Sequence, residues 1–307
     1  MQRALRQAAR RGKAAGYFLL GELALLVFKG LRLTRPAWAI DKAGRVMRFV
    51  GPWLPEHRTG RANLQAAYPD WRPEEVERVL DKVWENLGRV GAEFIHLDRL
   101  WPVIDASTGE IDGIAFTPET IERFVQLRDD GKPALIFASH LGNWELPALA
   151  ANAFGLKALA LYRPPAVPQV RDLVLETRSL RMGMLVPTNL CAPTAIADQL
   201  ERGSHAGMLV DQYNSRGVDV TFFGRRTKAN PLIARLARHI DCPIHGTRVV
   251  RLPGNRFRVD LTEEIEKPRD AQGGIDIAAT MQVITSIIEG WVREHPEQWL
   301  WLHRRWR

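Results

Sequence analysis

The sequence predicts an α/β domain: a central, mostly parallel sheet with flanking helices, preceded by an N-terminal membrane-associated helix. Three observations carry that expectation. Continuous apolar runs recur at 133–139, 157–162 and 206–210, and such runs between chain breakers read as buried parallel strands. Helical patterns separate them at 147–153, 170–182 and 193–202, the alternation from which a covered parallel sheet is built. Finally, Arg3, Arg6, Arg10, Arg11 and Lys13 precede an apolar stretch, 16–28, that only Glu22 interrupts.

That first stretch is thirteen residues long, short of the roughly 20 needed to cross a ~30 Å hydrocarbon core. Extending it to Leu33 takes in Lys29 and Arg32, whose stems can snorkel toward headgroups. Phe28-Lys29-Gly30-Leu31 offers no small-x-small cleavage site, which argues against a signal peptide. Spanning, interfacial and plain core helices compete; the short length and Glu22 suit an interfacial one best. Basic flanks on both sides favour a catalytic body on the cytoplasmic side. Residues 1–35 are therefore expected to anchor, and 36–307 to form one domain.

Within that domain, Val76, Val79, Leu80, Val83, Leu87, Val90 and Phe94 share one helical face. Pro73, Glu74 and Glu75 are suited to open the helix, with Pro in the first turn and acids at the positive dipole end. A second helix runs from Pro118 to about Asp130 and stops at Gly131. After the strand–helix alternation, 244–252 and 256–261 flank Pro253-Gly254-Asn255, a hairpin expected at the sheet's edge. A closing helix covers 275–294. Trp291, Trp299, Trp301 and Trp306 then interleave with Arg293, His303, Arg304, Arg305 and Arg307. Tryptophan beside arginine suits a membrane interface; a terminal segment packing its rings into the core explains the pattern equally well.

The chain has 43 Lys and Arg against 35 Asp and Glu, a net charge of +8, so its surface attracts polyanions. Two cysteines, Cys191 and Cys242, exclude a disulfide scaffold and a multi-cysteine metal site, and fit a reducing compartment.

Sites in open parallel sheets form beyond the carboxyl ends of strands. The strand at 133–139 delivers Ser139-His140-Leu141-Gly142-Asn143-Trp144-Glu145. On one regular helix His140 and Glu145 would stand about 140° apart and could not meet. If His140 ends the strand and Glu145 starts the next helix, the turn chemistry of Gly142 and Asn143 can fold one toward the other. A carboxylate on one imidazole nitrogen fixes the tautomer and leaves the other nitrogen to take a proton. The spacing alone also fits a structural histidine–acid pair.

The segment His140 to Glu145 resembles the H-x4-[D/E] motif of the membrane-associated acyltransferase superfamily. The wider chain resembles its late lipid A biosynthesis branch, the lauroyl or myristoyl acyltransferases. The resemblance runs through Arg61-Ala-Asn-Leu-Gln-Ala-Ala-Tyr-Pro69, Asn86-Leu-Gly-Arg-Val-Gly-Ala-Glu-Phe94, Leu161-Tyr-Arg-Pro164, Val210-Asp-Gln212, Phe222-Phe-Gly224 and Pro296-Glu-Gln-Trp-Leu-Trp-Leu-His-Arg-Arg305. It implies a glycerolipid acyltransferase-like fold on the cytoplasmic face of a bacterial inner membrane. It also implies transfer of a fatty acyl chain from acyl carrier protein, or coenzyme A, to a hydroxyl on a phosphorylated glycolipid acceptor, with no metal or organic cofactor. His140 is then the general base and Glu145 its orienting acid. Asp211 resembles a family acid that also contacts the histidine, and Glu145 is preferred as the partner. Backbone amides opening the helix at Pro147 are expected to hold the oxyanion. Asn143, Arg163, Asp211, Gln212, Arg225 and Lys228 are the candidate substrate-binding residues, with Arg226 completing a basic cluster for phosphates. The acyl groove is expected between the 18–27 helix, the 76–94 helix and Trp144.

Rival acceptors of the same chemistry are another glycolipid, a lysophospholipid or an ornithine lipid. From another class, a non-catalytic basic membrane-binding protein fits the charge, while the intact His140–Glu145 motif argues against it. Aromatic–basic interleaving can stack nucleic-acid bases, but no nucleic-acid-binding motif accompanies it, and no nucleic-acid partner is expected.

Overall fold

The computed structural model describes residues 16, 18, 21–100, 113–179 and 181–307. An opening helix, α1, covers 21–32. Three helices follow before the sheet: α2 (Pro36–Val50), α3 (Pro55–Ala67) and α4 (Pro73–Ile95), then a single turn, α5 (Leu97–Leu100). Each of α2, α3 and α4 opens on proline, where the missing N–H costs nothing and φ is already helical. At α4 the Glu75 carboxylate also accepts from the Arg72 amide at 2.8 Å. The face expected to be apolar is buried, with Val76, Leu80, Val83 and Val90 all at 4% exposure or less.

The sheet and its covering helices come next: β1 (Ile114–Phe116), α6 (Pro118–Asp129), β2 (Leu135–Ala138), α7 (Leu146–Ala153), β3 (Ala158–Tyr162) and α8 (Pro168–Ser179). They continue with β4 (Met184–Pro187), α9 (Ala192–Glu201), β5 (His205–Leu209), β6 (Tyr213–Phe222), β7 (Arg225–Ala229) and α10 (Leu232–Ile240). β8 (Ile244–Leu252), β9 (Arg256–Glu264) and α11 (Ile277–Glu294) close the chain. Seven strands lie in the order β1-β9-β8-β2-β5-β3-β4. All neighbours are parallel except β8 and β9. The expected mostly parallel, helix-covered sheet is therefore the observed one. Phe137 faces one core cluster with Leu64, Leu80, Trp84, Ile284 and Trp301; Leu149, Phe154 and Val259 form a second with Phe124 of α6.

The hairpin's place in the sheet needs correction, and three further features go beyond what the residues alone decide. The hairpin at Pro253-Gly254-Asn255 forms, but β8 lies inside the sheet against β2, and β1 covers the outer edge of β9. β1 and β4 are three and four residues long, too short to give a periodic signal. The terminal tryptophans are core: Trp291, Trp299 and Trp301 are buried, and Trp306 packs against the same cluster. Their rings fill the space that Phe222 and Phe223 open at the β6–β7 turn. Finally, no helix among the described residues is long and apolar enough to cross a membrane. The end of α1 is tied to the body through Arg32, which donates to both oxygens of Asp98 at 2.9 and 2.6 Å and to Ile95 O at 2.8 Å. The basic residues Arg3 to Lys13 lie outside the described residues.

Candidate active site

β2 and β5 are neighbours with Ala138 opposite Leu209, so the residues just beyond their carboxyl ends face each other. Those residues are His140 and Asp211. His140 Nδ1 lies 2.8 Å from Asp211 Oδ1, and the His140 amide donates to Asp211 Oδ2 at 2.8 Å. Trp299 Nε1 donates to the same Oδ2 at 2.8 Å. Burial alone would raise the Asp211 pKa; the charge of His140 and the hydrogen bonds from His140 and Trp299 outweigh it, holding the carboxyl at about 2. An ionised Asp211 accepts, so Nδ1 carries the proton and the Nε2 lone pair is left outward. Gln212 Nε2 sits 3.3 Å from that lone pair and 3.0 Å from His303 Nε2.

Glu145 is not the histidine's partner, a correction to the expected pairing. It stands at the N-cap position of α7 as anticipated, but its carboxylate takes a bidentate pair from Arg178 of α8 at 2.9 and 2.5 Å. The connecting loop explains the divergence. Gly142 adopts φ +60° with its Cα beside Val249 O, and a Cβ there would come within 2.3 Å of that oxygen. The Asn143 side chain then turns inward, donating to Glu93 at 2.8 Å and accepting from the Glu145 amide at 3.1 Å. Asn143 is fully buried and does not line the cavity, so its side chain shapes the loop. Gly142→Ala must rebuild this turn, at about 1–3 kcal/mol of stability, measurable as a lowered denaturation midpoint.

Beneath the loop lies a polar scaffold built from the other family-like segments. Asn86 donates to Gly142 O at 3.0 Å and accepts from Arg251 at 2.8 Å. Arg251 also pairs with the buried Glu93 at 2.5 and 2.9 Å. Gln298 exchanges two bonds with the Arg251 backbone while its carbonyl accepts from Gly142 N. Asn63 donates to Trp301 O and His303 O, tying α3 to the closing segment. Burial holds Arg305 down to about 10, so it stays charged, stacked 5.0 Å over Phe222 and bonded to Thr227 and Lys228 O. Glu93, Asn86, Arg178, Arg251, Gln298 and Trp299 were absent from the candidate site residues. Glu93, Asn86, Gln298 and Trp299 stand in the matching motifs, and that was the available signal.

A cavity of about 920 Å³ opens at His140. Ile136 and Ala138 of β2, Ala158 and Ala160 of β3, and Gly207 and Leu209 of β5 line its sheet side. Pro147, Ala148 and Ala151 of α7 cover it, and Phe124, Leu127 and Leu156 lie at its deep end. β2, which forms part of that wall, is four residues long, about 13 Å of strand. The expected groove walls are corrected accordingly: of those named, Trp144 lines this cavity, while α4 packs beneath the loop after His140 through Asn86 and Glu93. Arg163 and Arg216 stand exposed at the rim with Gln212, Tyr213 and Asn214. Arg225 and Lys228 do not line it: Arg225 stacks over Trp306 at 5.3 Å and Lys228 pairs with Asp219 at 3.5 Å. The amides of Leu141, Gly142, Glu145 and Leu146 are bonded within the protein.

A histidine held by a buried carboxylate thus stands at the mouth of a cavity walled largely by apolar side chains. Fold and site together are those of an acyltransferase. Residues 9–307 match the family described as bacterial lipid A biosynthesis acyltransferase, and the chain belongs to that family. Comparison with curated proteins gave no match.

Proposed function

We propose that this acyltransferase moves a fatty acyl chain from acyl carrier protein to a hydroxyl of a lipid A precursor, at the cytoplasmic face of the inner membrane. The observation that carries the reading is the His140–Asp211 pair at the mouth of the apolar cavity. His140 Nε2 takes the acceptor hydroxyl proton after that hydroxyl displaces the Gln212 amide. The oxygen attacks the thioester carbonyl, the carbon–sulfur bond breaks, and the thiolate recovers the proton from His140. Arg163 and Arg216 face phosphate groups of the acceptor or the developing oxyanion. The thioester brings an already activated carbonyl, so no metal or organic cofactor is required.

The test is acyl transfer on detergent-solubilised protein, with carrier protein loaded with chains of several lengths and a tetra-acylated precursor as acceptor, read by mass. One added chain, unchanged after chelator treatment, is the expected product. Coenzyme A thioesters as donor, and a lysophospholipid or ornithine lipid as acceptor, are run beside it; turnover of those alone overturns the assignment of donor or acceptor. Ala158, near the deep end of the channel, gives a second readout. Ala158→Phe is expected to shift preference toward shorter chains by about tenfold or more, since one methylene in an apolar pocket is worth roughly 1–3 kcal/mol.

A further inference from the structure

α2 is apolar on two sides. Its inner side packs on α4 through the buried Ala39, Ile40 and Gly44. The outer side of such a helix ordinarily carries polar residues. Here Trp38, Val46 and Phe49 stand outward at 51, 55 and 67% exposure, and Trp53, just past the helix, at 70%. At 100° per residue, Trp38, Lys42, Arg45, Val46 and Phe49 fall within about 100° of arc, one continuous stripe. Lys42 lies 6.0 Å over the Trp38 ring, and the Phe49 and Trp53 rings meet edge to face at 4.8 Å. The helix's one acid, Asp41, is turned aside to Arg89 at 2.9 Å.

We propose that this stripe and Trp53 form an interfacial docking surface for an anionic lipid bilayer. Indole and phenyl rings settle at the headgroup level, and cations spaced among them meet lipid phosphates. A protein partner fits the stripe less well, since lysine is depleted from protein interfaces and Lys42 stands in its middle. The stripe runs along one face of α2 while the other packs on the protein, so contact here lies in the interface plane. Gln169 of α8, six residues past Arg163, donates to Glu22 of α1 at 3.2 Å. The surface is a prediction independent of acyl transfer.

The experiment is co-sedimentation of the full chain with phosphatidylcholine vesicles, with and without a third of phosphatidylglycerol. Wild type is expected to prefer the anionic vesicles, and to lose part of that preference in high salt. The triple variant Trp38→Ser, Phe49→Ser, Trp53→Ser is expected to partition about tenfold or more weakly. Lys42→Glu with Arg45→Glu is expected to abolish the preference for anionic over neutral vesicles. Every changed side chain is exposed, so melting temperatures should match wild type. Wild-type partitioning by both variants would overturn the proposal. So would a lipid-free dimer of the wild type that becomes monomeric in the triple variant, which would make the stripe a contact between copies.

Discussion

Asp211→Asn is expected to lower kcat by about 10²–10⁴, close to the loss from His140→Ala, with little change in fold. Asparagine keeps the size of the carboxylate and can still accept from the His140 amide and from Trp299. Its amide nitrogen, however, offers a proton to Nδ1 where Asp211 accepts one. The imidazole then carries its proton on Nε2, where the acceptor hydroxyl must be deprotonated. Single-turnover kinetics separates this from a binding defect: acyl donor should bind as before while the transfer step slows. Because the carboxyl titrates at about 2, Asp211 stays ionised throughout the working range. The linkage sign follows. A folded pKa below the unfolded value of about 3.9 makes ionised Asp211 stabilising above pH 4, a contribution lost as pH falls toward 2. Asp211→Asn should therefore flatten the acid side of the stability curve, measured by denaturation between pH 5 and 3.

Much of this was legible in the residues. The apolar runs named β2, β3 and β5, and the strand-end rule put His140, Arg163 and Asp211 at one rim before any pairing was known. Strand order was the missing piece. Asp211 stands 71 residues from His140, and only the adjacency of β2 and β5, which periodicity does not encode, brings the two together. Glu145 looked like the nearer partner because it is near in sequence; the left-handed turn at Gly142 and the inward Asn143 send it the other way. The β6–β7 hairpin gave no alternating pattern, since Tyr213-Asn-Ser-Arg-Gly is polar. Its turn at Phe223 and Gly224, φ 51° and 69°, depends on the Phe223 amide reaching Glu289 at 2.6 Å. The tryptophans were ambiguous for a different reason, because an amphipathic ring suits a membrane interface and a hydrogen-bonded core equally well. Only the partners, Asp211 for Trp299 and Pro296 O for Trp301, decide.

Removing Glu145 should destabilise the protein without touching the base. Its side chain is 8% exposed and that of Arg178 is 19%, so Glu145→Ala leaves a largely desolvated guanidinium without its carboxylate. Breaking a buried pair this way costs about 3–5 kcal/mol, and the lower end applies because Arg178 keeps some water. The melting temperature is expected to fall by roughly 5–10 °C. Glu145→Leu with Arg178→Leu should recover most of the loss, since replacing both charges removes the stranded one. In kinetics the single variant is expected to raise KM more than it lowers kcat. α8 has no fully buried residue, and the pair with Glu145 ties it to α7 across the cavity. The acid limb of kcat/KM should stay where wild type has it. If Glu145→Gln moved that limb, Glu145 would be acting on His140 after all, through a rearrangement that swings it from Arg178 to the imidazole. If the limb stays and only stability and KM change, the acid of the H-x4-E motif serves here to latch the channel's cover, and Asp211 alone orients the base.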